Sequence, residues 1–154
     1  MNVGVVFSII LSIIVIIMVL ALGSKQIIDL LGLSNTALTK KAIQDLSTTA
    51  NRVYSLGEGS TLKFDLTIPG NTRFCFIDPE NPEANIDPDP DRRWRPDNVI
   101  ISIIQEKQYN IWVYGDGFQE GYRIEHLQPA ENFCAKSGTK LFFTNNGLTV
   151  GLTD

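Results

Sequence analysis

Residues Val3–Leu22 read VGVVFSIILSIIVIIMVLAL, sixteen large apolar side chains with no charge among them. All 30 charged side chains of the 154-residue chain, 13 Lys and Arg plus 17 Asp and Glu, lie from Lys25 onward. As a helix, residues 1–24 are about 36 Å long, against a hydrocarbon core of roughly 30 Å. That length excludes a strand, and in lipid a helix is the single-segment structure that satisfies every backbone N–H and C=O. A cleaved secretory signal fits less well, despite Ala21-Leu22-Gly23, because no Lys or Arg precedes the run and its apolar part is too long. Residues 1–24 are therefore expected to be a membrane or filament-core helix.

Inside the apolar run, Gly4, Ser8 and Ser12 recur every four residues and share one helix face. Small residues at that spacing let a second helix backbone approach closely. With Phe7, Leu11 and Val15 beside them, and Leu31 and Leu38 further on, they are the expected helix-packing residues of a polymer.

Beyond Ser24 the pattern turns amphipathic. Leu31, Leu38, Ala42, Leu46, Ala50 and Val53 follow helical spacing, and Lys40, Lys41, Asp45 and Arg52 fall elsewhere. Gly57 stands where a C-cap glycine belongs. Gly32 and Ser34-Asn35-Thr36 weaken the middle, yet the economical reading is one helix to about Leu56, with 25–57 as the amphipathic continuation.

From residue 58 to 154 the signal is β. Thr61–Thr67, Thr72–Ile77, Val99–Gln105, Tyr109–Tyr114, Tyr122–Leu127, Lys140–Thr144 and Leu148–Leu152 read as short strands. Pro69-Gly70, Gly115-Asp116-Gly117 and Asn145-Asn146-Gly147 supply turns between them. An antiparallel sandwich or small open barrel is expected. Residues 78–97, DPENPEANIDPDPDRRWRPD, interrupt the strands as a surface loop with five of the seven prolines and the whole net charge of −4.

Charge and composition exclude several chemistries. A net acidic chain does not suit nucleic acid, so no nucleic-acid partner is expected. Ser60-Thr61-Leu62-Lys63 matches S-x-x-K, but it opens a strand, where i and i+3 point to opposite faces, and its companion motifs are missing. His126 is the single histidine and has no nucleophile motif beside it. The chain is expected not to be an enzyme and to need no cofactor. Calcium is the one metal considered, because Asp87, Asp89 and Asp91 alternate as oxygen ligands do in calcium loops, although the EF-hand Gly and distal Glu are missing. A solvated acidic loop is preferred, with Arg92, Arg93, Trp94 and Arg95 as candidate subunit contacts.

Cys75 and Cys134, an even pair in a chain with an apolar anchor, are read as a disulfide rather than two buried thiols. Read literally, the excess of Lys and Arg after the span places the β-domain in the cytoplasm. The paired cysteines, and the family likeness that follows, instead favour an exported domain.

The helix end and first strand, Ile43–Gly70 (IQDLSTTANRVYSLGEGSTLKFDLTIPG), carry a family likeness. Ala50, Val53, Tyr54, Leu56, Gly57, Gly59, Ser60, Pro69 and Gly70 match a phrase common in archaeal type IV pilin-like proteins, and with the apolar run the resemblance covers about the first 70 residues. The chain departs from that family in having no Lys or Arg before the apolar run. Like the archaeal branch, it has no Glu five residues into the helix. The resemblance implies an α+β lollipop: a long N-terminal α-helix followed by an antiparallel β-sandwich-like domain. It also implies a structural subunit (pilin) of an extracellular cell-surface filament for adhesion, motility or cell contact. Its partners would be itself, as a helical homopolymer, the membrane before assembly, and a type IV-like assembly machinery. The alternative is a single-pass anchored extracellular binding module that does not polymerise.

Overall fold

The computed structural model describes residues 3–115 and 118–154; in the N-terminal helix, the side chains of residues 3, 5 and 21–34 lie outside that description. Helical backbone, α1, runs Val3–Tyr54, and the chain falls into two compact units, Met1–Ala37 and Leu38–Asp154.

The expected lollipop is corrected. The described side chains of α1 form two short stretches, 6–20 and 35–54, and the boundary between units falls at the start of the second. No long apolar rod is described. The sequence between them holds Gly23, Gly32 and Ser34, poor helix formers, together with the chain's first charges, Lys25 and Asp29. No helix among the described residues is long and apolar enough to cross a membrane. Expectations resting on Leu31, on Ala21-Leu22-Gly23 and on the turn residues Asp116 and Gly117 lie outside the described residues.

The second unit is a mixed α/β fold. Its strands are β1 (Thr61–Asp65), β2 (Arg73–Phe76), β3 (Ile111–Gly115), β4 (Phe118–Tyr122), β5 (Leu127–Pro129), β6 (Phe133–Ala135), β7 (Lys140–Asn145) and β8 (Val150–Thr153), with helix α2 at Asn98–Lys107. They make two four-stranded sheets, ordered β1-β7-β8-β5 and β4-β3-β2-β6. The second sheet is antiparallel throughout; the first ends in a parallel pair, β5 with β8. The purely antiparallel expectation fails there because residues 124–127 turn the chain so that it enters β5 alongside β8.

A second correction concerns Val99–Gln105, expected as a strand. It forms α2, because Asp97 accepts the Ile100 N–H at 2.8 Å as an N-cap and Ile104 alone needs full burial, which a helix face provides. Gln108, in left-handed geometry, closes the helix.

Two clusters explain the layering. Ala42, Leu46, Ala50 and Val53 of α1 pack into the larger core with Phe74, Phe76, Ile111, Val113, Leu141, Phe143, Val150 and Leu152 from both sheets. The opposite face of the β4-β3-β2-β6 sheet carries Cys75, Trp112 and Cys134, which pack with Ile77, Trp94 and Ile104. Strands β3, β2 and β6 of this sheet are therefore covered on both faces, which removes the alternation of apolar and polar residues that marks a half-exposed strand.

Candidate functional site

Phe7, Ile9, Ile10, Leu11, Ile13, Ile14, Val15, Ile16, Ile17, Met18, Val19 and Leu20 are each between 51% and 69% exposed. A helix apolar on every side belongs in a core or in lipid, and these side chains are all at least half exposed. Gly4 meets nothing within 4 Å at its Cβ position, so the small-residue face is open there. Ser8 lies exposed on that face, and the Ser12 Oγ–H donates to the Ser8 carbonyl at 2.9 Å, which satisfies the hydroxyl within its own helix. Leu38, at 48% exposure, stands outside the core that its helical neighbours Ala42 and Leu46 enter.

The disulfide expected from the sequence is present. Cys75 and Cys134 are bonded, 59 positions apart, where β2 and β6 lie directly opposite in register.

Within the acidic loop, the carboxylates do structural work. Asp87 Oδ1 accepts the Asp89 N–H at 2.7 Å, and Asp89 Oδ1 accepts the Asp91 N–H at 2.9 Å. Arg92 Nη2 pairs with Asp87 at 3.2 Å and with Asp154, and its guanidinium lies 5.3 Å from the centre of the Phe133 ring. No group of three or more His, Cys, Asp or Glu among the described residues is placed to hold a metal ion. Of the three aspartates considered for calcium, Asp87 and Asp89 each spend one carboxylate oxygen on a loop N–H, and Asp87 also pairs with Arg92. Trp94 is buried to 3% exposure and so cannot serve as an exposed anchor, whereas Arg93 and Arg95 remain exposed.

Three buried asparagines, of which the sequence pointed only to Asn145 and only as a turn residue, hold the surrounding loops. Asn110 Nδ2 donates to the carbonyls of Ile124 and Leu127 at 2.7 and 2.8 Å, while its Oδ1 accepts the Ile124 N–H at 2.8 Å. Asn132 Nδ2 donates to the carbonyls of Asn81 and Ala84, and its Oδ1 accepts the Asp78 N–H, which fastens the start of the acidic loop to the sheet. Asn145 Nδ2 faces the carbonyls of Val53, Tyr54 and Leu56, which closes the end of α1. Gly57, expected as the C-cap, does not adopt the left-handed geometry, because Asn145 takes those carbonyls; Gly59 carries the positive φ of 85° instead. His126 stacks flat on Tyr54 with ring centroids 3.7 Å apart, a second tie at the same place.

No family model, curated protein or solved structure matches the chain. The functional reading therefore rests on the exposed apolar helix stretch and on the chemistry of the second unit.

Proposed function

We propose that this chain is a pilin-like structural subunit of an extracellular helical filament, polymerising through its apolar N-terminal helix. One observation carries the reading: twelve large apolar side chains between Phe7 and Leu20 are all at least half exposed. Burying such side chains is worth roughly 1.5–3 kcal/mol each, so the twelve together would stabilise an assembled state by about 18–36 kcal/mol relative to water. Lipid supplies the same gain before assembly, so the step from membrane to filament depends on close packing, where Gly4, Ser8 and Ser12 act. The resemblance of Ile43–Gly70 to archaeal pilin-like proteins supports the same reading. So does the disulfide, which belongs in an oxidising compartment. The second unit then coats the filament, and adhesion, motility or cell contact would be its task.

Material sheared from the surface of the producing cells, viewed by negative-stain electron microscopy with mass spectrometry of the chain and its N-terminus, tests the proposal. Filaments made of this chain are expected. The double substitution Ser8→Ile and Ser12→Ile, which keeps the helix apolar but fills its small face, should abolish them while the protein still partitions into membranes. Monomers or small oligomers confined to the membrane fraction, with no filaments from the unmodified chain, would overturn the reading in favour of an anchored binding module.

A further inference from the structure

On the side of the β4-β3-β2-β6 sheet that faces α2 lies a cleft of about 450 Å³, within the roughly 300–1,000 Å³ range of small-ligand sites. Arg73, Arg93 and Arg95 line it, together with the single acidic side chain of Asp91. The cleft is thus cationic on a chain whose net charge is −4. None of these three arginines forms an ion pair among the described residues, in contrast to Arg92. Arg73 is held by one bond, Nη1 to the Asp91 carbonyl at 2.8 Å, and Arg93 by one, Nη2 to the Pro88 carbonyl at 3.3 Å. A guanidinium has five N–H donors, so most remain available to a ligand. Trp94, also in the lining, is 97% buried, and its indole Nε1–H has no partner among the described residues. Three guanidiniums without a carboxylate partner in one cleft call for an anionic acceptor.

We propose that this cleft binds an acidic saccharide, a sugar bearing a carboxylate. The guanidiniums of Arg93 and Arg95 take the carboxylate, for which their planar fork is suited. Asp91 and Gln119, both in the lining, take ring hydroxyls, and Ile100, beside the rings of Trp112 and Tyr114, provides an apolar wall for the sugar's C–H face. Asp91 favours a saccharide over an acidic peptide, since its carboxylate needs hydroxyl donors, which a sugar ring offers beside its carboxylate and a Glu or Asp side chain does not. The inference is independent of polymerisation and stands or falls separately from it.

The chain's two tryptophans, Trp94 and Trp112, both line the cleft, so intrinsic fluorescence of the full chain in detergent reads this site alone. Titration with an oligomer of glucuronate should give a saturable change, weakened at least tenfold in Arg93→Ala and in Arg95→Ala. Both side chains are exposed, so these variants should keep the fold, and Lys136→Ala, an exposed cation outside the cleft, should bind as the unmodified chain does. Raising the salt should weaken binding. Equal binding of a neutral glucose oligomer, equal or tighter binding of an oligoglutamate peptide, undiminished binding by the two arginine variants, or no response at millimolar glucuronate oligomer would each overturn the proposal.

Discussion

Replacing Asn145 by Ala removes the side chain that closes the C-terminal end of α1. Asn145 is 4% exposed. Its Nδ2 lies 3.1, 3.2 and 2.7 Å from the carbonyls of Val53, Tyr54 and Leu56, and its Oδ1 accepts the Gly147 N–H at 2.7 Å. Two N–H groups cannot serve three carbonyls at full strength, so the substitution deletes the equivalent of three bonds. At roughly 1 kcal/mol net per bond the loss is about 3 kcal/mol. Val53 O keeps a bond from the Leu56 N–H at 3.0 Å, and water reaches the half-exposed Leu56, so the cost should not rise far above that figure. For a unit of the size of Leu38–Asp154 this corresponds to a melting point lower by about 10 °C. Thermal unfolding of the full chain in detergent, followed by near-UV circular dichroism, measures it, with Asn146→Ala at the adjacent exposed position as the control. Asn145→Asp sharpens the test. At neutral pH it places a carboxylate against three carbonyl oxygens at the negative end of a helix and should cost more than Ala. That Asp has a raised folded-state pKa, so its penalty grows as pH rises through the ordinary carboxyl value and shrinks below about pH 4, where the protonated group donates again. A loss under about 0.5 kcal/mol for Asn145→Ala, the size of an ordinary surface change, would refute the assignment of Asn145 as the helix closure.

Other consequences can be checked on the same material. Reducing the Cys75–Cys134 bond, which closes a separation of 59 residues, should destabilise the second unit by about 4 kcal/mol in the chain-entropy model, read as a shift in denaturant midpoint. Leu46→Ala, at a fully buried position where α1 meets both sheets, should cost about 2–5 kcal/mol in equilibrium unfolding. Gly121→Ala drives a Cβ into the Tyr109 ring, which is packed against the smaller core, and should lower the melting point, whereas Gly57→Ala, with open space at its Cβ, should not. Burial first, and the 2.6 Å bond from its hydroxyl to Glu120 second, hold the Tyr122 hydroxyl above its ordinary value of 10.0. The unfolded chain therefore loses this proton first, and stability should fall as pH rises above 10.0, a fall that Tyr122→Phe reduces.

Much of the local structure is written in periodicity. The apolar stretch, the core face Ala42, Leu46, Ala50 and Val53, the strands β1, β2, β3, β7 and β8, and the pairing of two cysteines all follow from residue type and spacing along the chain. The errors have one cause. Val99–Gln105 has both strand composition and a helix face, and only the Asp97 cap and the need to bury Ile104 against the second face of the sheet decide for the helix. Phe133–Ala135 is three residues long and wholly buried, so it shows no alternation to read. Gly57 is a sound C-cap in isolation, but an asparagine 92 positions away from Val53 takes the carbonyls that such a cap would serve.

The cleft is the clearest case of what sequence could not show. Arg73 belongs to β2, Arg93 and Arg95 to the proline-rich loop, Trp112 to β3 and Gln119 to β4, and no local pattern joins them. The sequence by itself determined which segments are apolar, which are amphipathic and which turn, because those depend on each residue and its near neighbours. Tertiary structure alone decided which strands are covered on both faces, which carbonyls the three asparagines serve, and which arginines are left without a carboxylate. Each of those depends on residues far apart in the chain, whose approach is set by where buried surface must be covered.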